Sequence, residues 1–429
     1  MEIYVAQEGD SIRSVAEKFG ISVERLIVDN GLTYPFDLVK GQALVIAHPK
    51  ETHIVKEGDT LQSIADLYHV QVMQILRNNP FLLEREYIYP GETLVISYNT
   101  SGSITTNGFA YPYAKRETLI KILPNLTYLS ILNYTTVDKG NITQFRDDTD
   151  IIKTSVEYGT LPLLMIMTLT PQGEPNAEVE FNLLLSEEYQ DNNVEQLMEI
   201  IKNKGYLGLN MVFNYLSESS QQLYQNYVNK LSNRLHQEGL VFLISINYDV
   251  NNSNSQIDAL QIDYSVLSDS ADGLLFLKFL WGMNTNPPSP VSNINHVETL
   301  ISYVSTMVPS NKIIIGIPFL GYDWQLPFVP NKTTALLMSI HAVLQLAYDT
   351  GTTIQYDEAS QTPFYYYNQL NIGIPIDHMV WFIDARSLEG LFDLVRKYSL
   401  VGSGIWNIMY YYPQLWTSMN SQFDIIKLL

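Results

Sequence analysis

Eight short apolar runs, separated by segments with an apolar stripe at helical spacing, dominate the chain from residue 108 onward. They are GFAYPYA (108–114), LTYLSILNY (126–134), LPLLMIMTLT (161–170), LGLNMVFNYL (207–216), LVFLISINY (240–248), GLLFLKFLW (273–281), KIIIGIPFLGY (312–322) and GSGIWNIMYY (402–411). Runs of this length without strict polar alternation suit strands covered on both faces, which are typically parallel strands joined by crossover helices. Segments such as NVEQLMEIIKNKG and VETLISYVSTMV supply the helices. The fold class this predicts is α/β, a (β/α)8 TIM barrel whose chemistry sits at the carboxyl ends of its strands. Extra material between the seventh and eighth runs, including TIQYDEASQTPFYYYN and HMVWFIDARS, predicts a small α+β insertion at about 325–385.

The chain ahead of the barrel holds a duplication. IYVAQEGDSIRSVAEKFGISVERLIVDN (3–30) aligns without gaps on THIVKEGDTLQSIADLYHVQVMQILRNN (52–79), and KGQALVI then matches PGETLVI. Each copy reads strand, helix, helix, strand, with a Gly-Asp-Ser/Thr turn whose hydroxyl can cap the first helix. The expected modules are 1–48 and 49–97, followed by a Ser/Thr/Asn/Gly-rich linker at 98–108 and the barrel at 109–429.

The formal charge is -20, from 25 Lys+Arg against 45 Asp+Glu, which disfavours nucleic acid and anionic membrane surfaces as partners. No cysteine occurs, so disulfides, thiolate metal sites and a cysteine nucleophile are excluded. The seven histidines are scattered singly with no metal-ligand spacing, and no metal or other cofactor is expected. The start, MEIYVAQEGDSI, has neither a basic nor an apolar leader region, and no stretch has the length of a membrane span. Synthesis in the cytoplasm without a signal peptide is the resulting expectation.

The two small units resemble LysM modules, which bind N-acetylglucosamine-containing glycans such as peptidoglycan and chitin. VKEGDTLQSIADLYHV, NNP and YPGETLVI carry the likeness in the second copy, whereas LVKGQALVI in the first lacks the usual proline before Gly41. The resemblance implies a glycan groove between the Gly-Asp-Ser/Thr loop and the loop after the second helix. It points to Gly9, Asp10, Ser11 and Asn30 in the first copy, and to Gly58, Asp59, Thr60, Leu61, Asn79 and Pro80 in the second.

The barrel resembles the family 18 glycoside hydrolases, in particular the spore-cortex-lytic branch with two LysM modules. WGMNTNPPSPVSNINHVETLISYV, KIIIGIPFLGYDWQLPF, TPFYYYN and HMVWFIDARSLEGLFDLVRKYSL carry it. That family uses a fourth-strand Asp-x-x-Asp-x-Asp-x-Glu motif. The Glu protonates the leaving oxygen, the substrate's own acetamide is the nucleophile, and the Asp two residues earlier holds that acetamide. Aligned on this motif, GYLGLNMVFNYL places Leu207, Asn210, Val212 and Asn214 at its four positions, and Phe279 stands where a sixth-strand Tyr is usual. The resemblance also implies a barrel cleft that keeps Trp281, Asp323, Trp324 and Trp406. Asp384 and Arg386, in FIDARS, read as an ion pair inside the insertion.

An amide cannot donate a proton as a carboxylic acid does, so loss of all the motif carboxylates predicts a barrel without catalysis, and hence no enzyme. The function expected on this basis is binding of peptidoglycan or chitin-like polymers through the LysM modules, as a structural protein deposited on the bacterial spore. An alternative is a weak N-acetylglucosaminidase of cortical peptidoglycan fragments using another acid, with Glu218 and Asp323 as candidates. A third is an assembly protein, packing with itself or with other spore-layer proteins, whose glycan sites are silent.

Overall fold

The computed structural model describes residues 1–32, 38–85, 87–170, 173–248, 250–251, 256–278, 285–371 and 373–429. In the first LysM module, strands Glu2–Val5 and Ala43–Ile46 pair antiparallel around helices Ile12–Phe19 and Val23–Asn30. The second repeats this with strands Glu51–Ile54 and Thr93–Ser97 and helices Leu61–Tyr68 and Val72–Asn78. Ser11 and Thr60 form reciprocal capping boxes with Ser14 and Ser63, so each first helix starts where the turn leaves its hydroxyl.

Eight parallel strands close the barrel in sequence order: Ser103–Ala110, Tyr128–Thr136, Leu161–Thr168, Gly208–Phe213, Val241–Ile246, Gly273–Phe276, Ile313–Pro318 and Gly402–Trp406. The first strand pairs with both the second and the eighth, which completes the ring. Alternate residues point inward and outward along each strand. Phe109, Leu163, Met165, Val212, Leu243, Leu275, Ile314 and Trp406 therefore fill the interior, while Leu164, Met211, Phe213, Ile244 and Ile315 pack under the helices.

Two expected boundaries are corrected. The linker at 98–108 is shorter, because the first barrel strand already begins at Ser103. Two of its polar residues are buried in the strand rather than solvated: the Thr106 hydroxyl donates to the Asn125 carbonyl at 2.7 Å, and Asn107 accepts from Ser130 at 2.8 Å. The run at 312–322 is two strands, since the seventh barrel strand stops at Pro318 and a new strand, Gly321–Gln325, opens the insertion earlier than 325. That insertion is a five-stranded antiparallel sheet ordered 336–338, 321–325, 374–382, 362–371, 355–357, with helix Ile340–Asp349 packed on one face.

The first LysM module is wedged against the barrel. Gln414, in the last helix (Pro413–Asn420), donates to Asn30 Oδ1 at 3.0 Å and to the Ala43 carbonyl at 2.9 Å. The Ile354 N–H donates to the Lys40 carbonyl at 2.9 Å, and Arg386 reaches the Gly41 carbonyl at 3.2 Å.

Candidate active site

The fourth strand, Gly208–Phe213, runs toward the barrel mouth, where the chain leaves it at Asn214. Leu207 precedes the strand at its opposite end. Asn210 lies inside the barrel at the centre of a hydrogen-bonded chain. Ser245 donates to its Oδ1, its Nδ2 donates to Ser130, and Ser130 donates to Asn107, each at 2.8 Å. Four strands are thus tied through polar groups at the core of the barrel. Val212 faces the same interior and contributes only apolar contact. Asn214 accepts from Asn247 at 3.1 Å, and its own Nδ2 is buried with no hydrogen-bond partner among the described residues. Such a donor can hold a carbonyl or hydroxyl of a ligand, although it cannot protonate one.

One carboxylate touches the end of this strand, and sequence reasoning missed it. Glu180, on helix Ala177–Leu185, accepts from Thr168 at 2.9 Å and from the Tyr224 hydroxyl, and the nearby Asn214 and Tyr215 N–H groups also favour its charged form. Burial pushes its carboxyl above the usual range, against the opposing effect of these four donors. It sits on the outer side of the sheet with Leu183 and Leu184, behind the end of the fourth strand and outside the barrel interior. An acid on the apolar stripe of a helix was the signal available in the sequence. Glu218 lies in the exposed turn between Asn214 and the next helix, Gln221–Gln237.

The insertion walls one side of the mouth. Trp324 and Tyr322 turn toward the barrel interior with Trp381 and Phe364 beside them, and the Trp324 indole N–H donates to the Asn286 carbonyl at 2.9 Å. Asp323 is corrected from the cleft to the far face of this sheet, where it accepts from Tyr367 at 2.7 Å and meets His378 at 3.0 Å. The reason is strand alternation: neighbours 323 and 324 cannot both face the mouth. Trp406 stands in the interior edge-on to Phe109 and Tyr111, with ring centroids at 5.6 and 6.4 Å. Trp324 and Trp406 are both buried, so neither leaves a ring face open to solvent. Asp384 caps helix Ala385–Lys397 and pairs with Arg386 at 2.6 Å, which stacks on Tyr356. Phe279 and Trp281 lie outside the described residues.

In the LysM modules, Gly9 and Gly58 are exposed at the turns, and Ser11 and Thr60 are committed to their capping boxes. Asp10 accepts from the Tyr4 hydroxyl at 2.6 Å and the Gln7 N–H at 2.7 Å; these bonds hold its carboxyl below the usual range. Asp59 does the same with His53 at 2.8 Å and the Lys56 N–H at 2.7 Å. Asn30 and Asn79, expected on the grooves, are buried instead. Each donates to two carbonyls and accepts one N–H, from Val45 and Val95 respectively, bracketing the end of the second helix to the closing strand. Leu61 opens its helix half-exposed, and Pro80 begins a short helical turn, Pro80–Glu84.

Among the described residues, no group of three or more acids and histidines could hold a metal ion, and no helix is long and apolar enough to cross a membrane.

An eight-stranded parallel barrel with an inserted sheet and two βααβ modules defines a class of protein. A model of the glycosyl hydrolases family 18 matches residues 169–410, and a LysM domain model matches residues 4–47 and 53–97. The chain belongs to glycosyl hydrolases family 18 and carries two LysM domains. It is 28% identical over 433 residues to the cortical fragment-lytic enzyme of Bacillus subtilis (strain 168), covering 100% of this chain and 99% of that protein. The cortical fragment-lytic enzyme of Bacillus anthracis is 26% identical with the same coverage. The crystal structure of the Bacillus cereus spore cortex-lytic enzyme SleL superposes with a TM-score of 0.79 at 25% identity, covering 99% of each chain. These findings correct the expectation that the chain is not an enzyme: it matches, end to end, proteins named as lytic enzymes. Reading the fourth-strand replacements as loss of catalysis gave one motif more weight than the whole architecture.

Proposed function

We propose that this chain is a glycoside hydrolase of N-acetylglucosamine-containing cortical peptidoglycan fragments, associated with the bacterial spore and held on its glycan by LysM modules. The observation that carries this reading is collinearity. Both modules, the barrel and its insertion follow the cortical fragment-lytic enzymes over 100% of this chain and 99% of theirs.

The fold supports a substrate-assisted route in which the acetamide carbonyl attacks the anomeric carbon as the glycosidic C–O bond breaks; the leaving oxygen takes one proton from the protein, and water then opens the cyclic intermediate, so the chain must supply that acid and a grip on the acetamide. Asn214 Nδ2, buried at the mouth without a partner, is suited to the grip. Its amide is oriented by Asn247, which donates to Asn214 Oδ1 at 3.1 Å. The proton comes from a carboxyl group outside the usual motif, for which Glu218, in the exposed turn that follows Asn214, is the candidate. Asp323 faces away and is excluded from that role by its bonds to Tyr367 and His378.

The test is steady-state hydrolysis of cortical fragments by the wild type and Glu218→Gln. Removing a general acid lowers kcat by about 10²–10⁴ while leaving KM nearly unchanged. An unchanged kcat in Glu218→Gln rejects this residue as the donor.

A further inference from the structure

The loops that follow the first and second barrel strands carry an aromatic stack that the site above does not use. Tyr111 lies edge-on to Trp406, and Tyr113 stacks on Tyr111 with centroids 5.3 Å apart and planes 17° from parallel. The Arg146 guanidinium sits over Tyr113 at 5.3 Å and over Phe145 at 5.6 Å. The column runs from the buried Trp406 to the surface, where Phe145 is 66% exposed and Tyr113 is 49% exposed.

Its outer end is held in place rather than hanging on a loose loop. A bulge in the second strand between Leu132 and Tyr134 turns Asn133 out of the ladder. The Asn133 side chain then accepts the Arg146 N–H at 2.9 Å and donates to the Arg146 carbonyl at 2.8 Å, while its own carbonyl accepts the Phe145 N–H at 2.8 Å. The adjacent acids are engaged elsewhere. Asp148 is buried under Asn133, Tyr134, Tyr206 and Lys204, and Asp147 pairs with Lys204 at 3.4 Å. No carboxylate among the described residues lies within ion-pair distance of Arg146, an exposed cation on a chain of net charge -20.

We propose that Tyr113, Phe145 and Arg146 form an outer subsite for an acidic N-acetylated glycan, in which a pyranose face stacks on the Phe145 ring and Arg146 takes the sugar-linked carboxylate. The inference rests on the glycan-hydrolase reading but is tested by binding alone. Aromatic faces stack on sugars through their apolar C–H surface, and a planar guanidinium takes a carboxylate through two parallel N–H donors.

The experiment titrates the full chain with N-acetylmuramic acid, whose lactyl group carries a sugar-linked carboxylate, and with neutral N-acetylglucosamine, by calorimetry at low and high salt. Wild type is expected to prefer the acidic ligand by about tenfold, the size of one charge-assisted hydrogen bond, with the preference shrinking in salt. Arg146→Gln, a surface change, abolishes the preference and keeps N-acetylglucosamine affinity. Phe145→Ala weakens both ligands several-fold. An equal preference in wild type and Arg146→Gln overturns the proposal, as does wild-type protein that binds neither ligand. Absence of hydrolysis in a separate assay bears on the proposed function and leaves this result standing.

Discussion

The two LysM modules share one backbone plan and differ in what surrounds it. A Cβ added at Gly41, in the turn before the closing strand of the first module, overlaps the Ile354 carbonyl of the barrel insertion, whereas one added at the equivalent Gly91 meets nothing within 4 Å. Asn30 shares its Oδ1 with Gln414 of the last barrel helix; Asn79 bonds only within its own module. The buried charges differ too. In the first module Arg25 is neutralised by Asp29 at 2.6 Å, while the second brings the buried Arg77 close to Lys427 of the carboxyl-terminal tail. Duplication thus produced one module that is part of the barrel's structure and another whose turn before the closing strand stays open. Docking, more than module fold, decides which surfaces remain for glycan.

The largest expected effect separates the glycines. Gly41 has φ +86 and no room, so Gly41→Ala costs about 3–4 kcal/mol from strain and displaced packing; Gly91→Ala, at φ +92 in open space, costs about 1–2. Denaturant unfolding of the two variants measures this, and equal losses would break the comparison. Next, Gln414→Ala leaves one lone pair of Asn30 Oδ1 and the Ala43 carbonyl short of a donor. It is expected to cost about 1–3 kcal/mol and to expose the first module to proteolysis before the second.

A smaller, pH-dependent effect belongs to the second module's side. Burial, reinforced by Arg77, pushes the Lys427 ammonium down to about 7. An unfolded lysine titrates near 10.4, so the unfolded chain binds more protons between these values, and stability rises with pH across that window. Thermal midpoints of wild type should climb from pH 7 to pH 9, and Lys427→Met should flatten the climb; a parallel climb in both would remove Lys427 as its source. Least of all, Asp59 keeps its charge below the usual carboxylate range through His53 and the Lys56 N–H. Its contribution to the second turn is present above the unfolded value near 3.9 and disappears as pH falls through the lower folded value, which NMR titration of the side-chain carboxyl follows.

The barrel was legible because its parallel strands are covered on both faces, so runs such as LPLLMIMTLT need no polar alternation. The modules were legible because a repeat states its own boundaries. Ser103–Gly108 was not, since Thr106 and Asn107 are polar for reasons of buried hydrogen bonding that composition cannot separate from solvation. Asp323 could have been turned away from the cleft by period-two alternation applied beside Trp324. Glu180 was visible only as an acid on a buried stripe, and its partner Tyr224 lies more than forty residues along the chain. The enzymatic reading required comparison of the whole chain, because the fourth-strand motif taken alone pointed the other way.

The most direct test of the account is mass spectrometry of soluble products after incubating the intact chain with cortical fragments containing muramic-δ-lactam. Hydrolysis predicts shortened fragments with new reducing ends, accumulating with time and enzyme concentration. Fragments that stay intact after long incubation, with the protein bound to them, would contradict it.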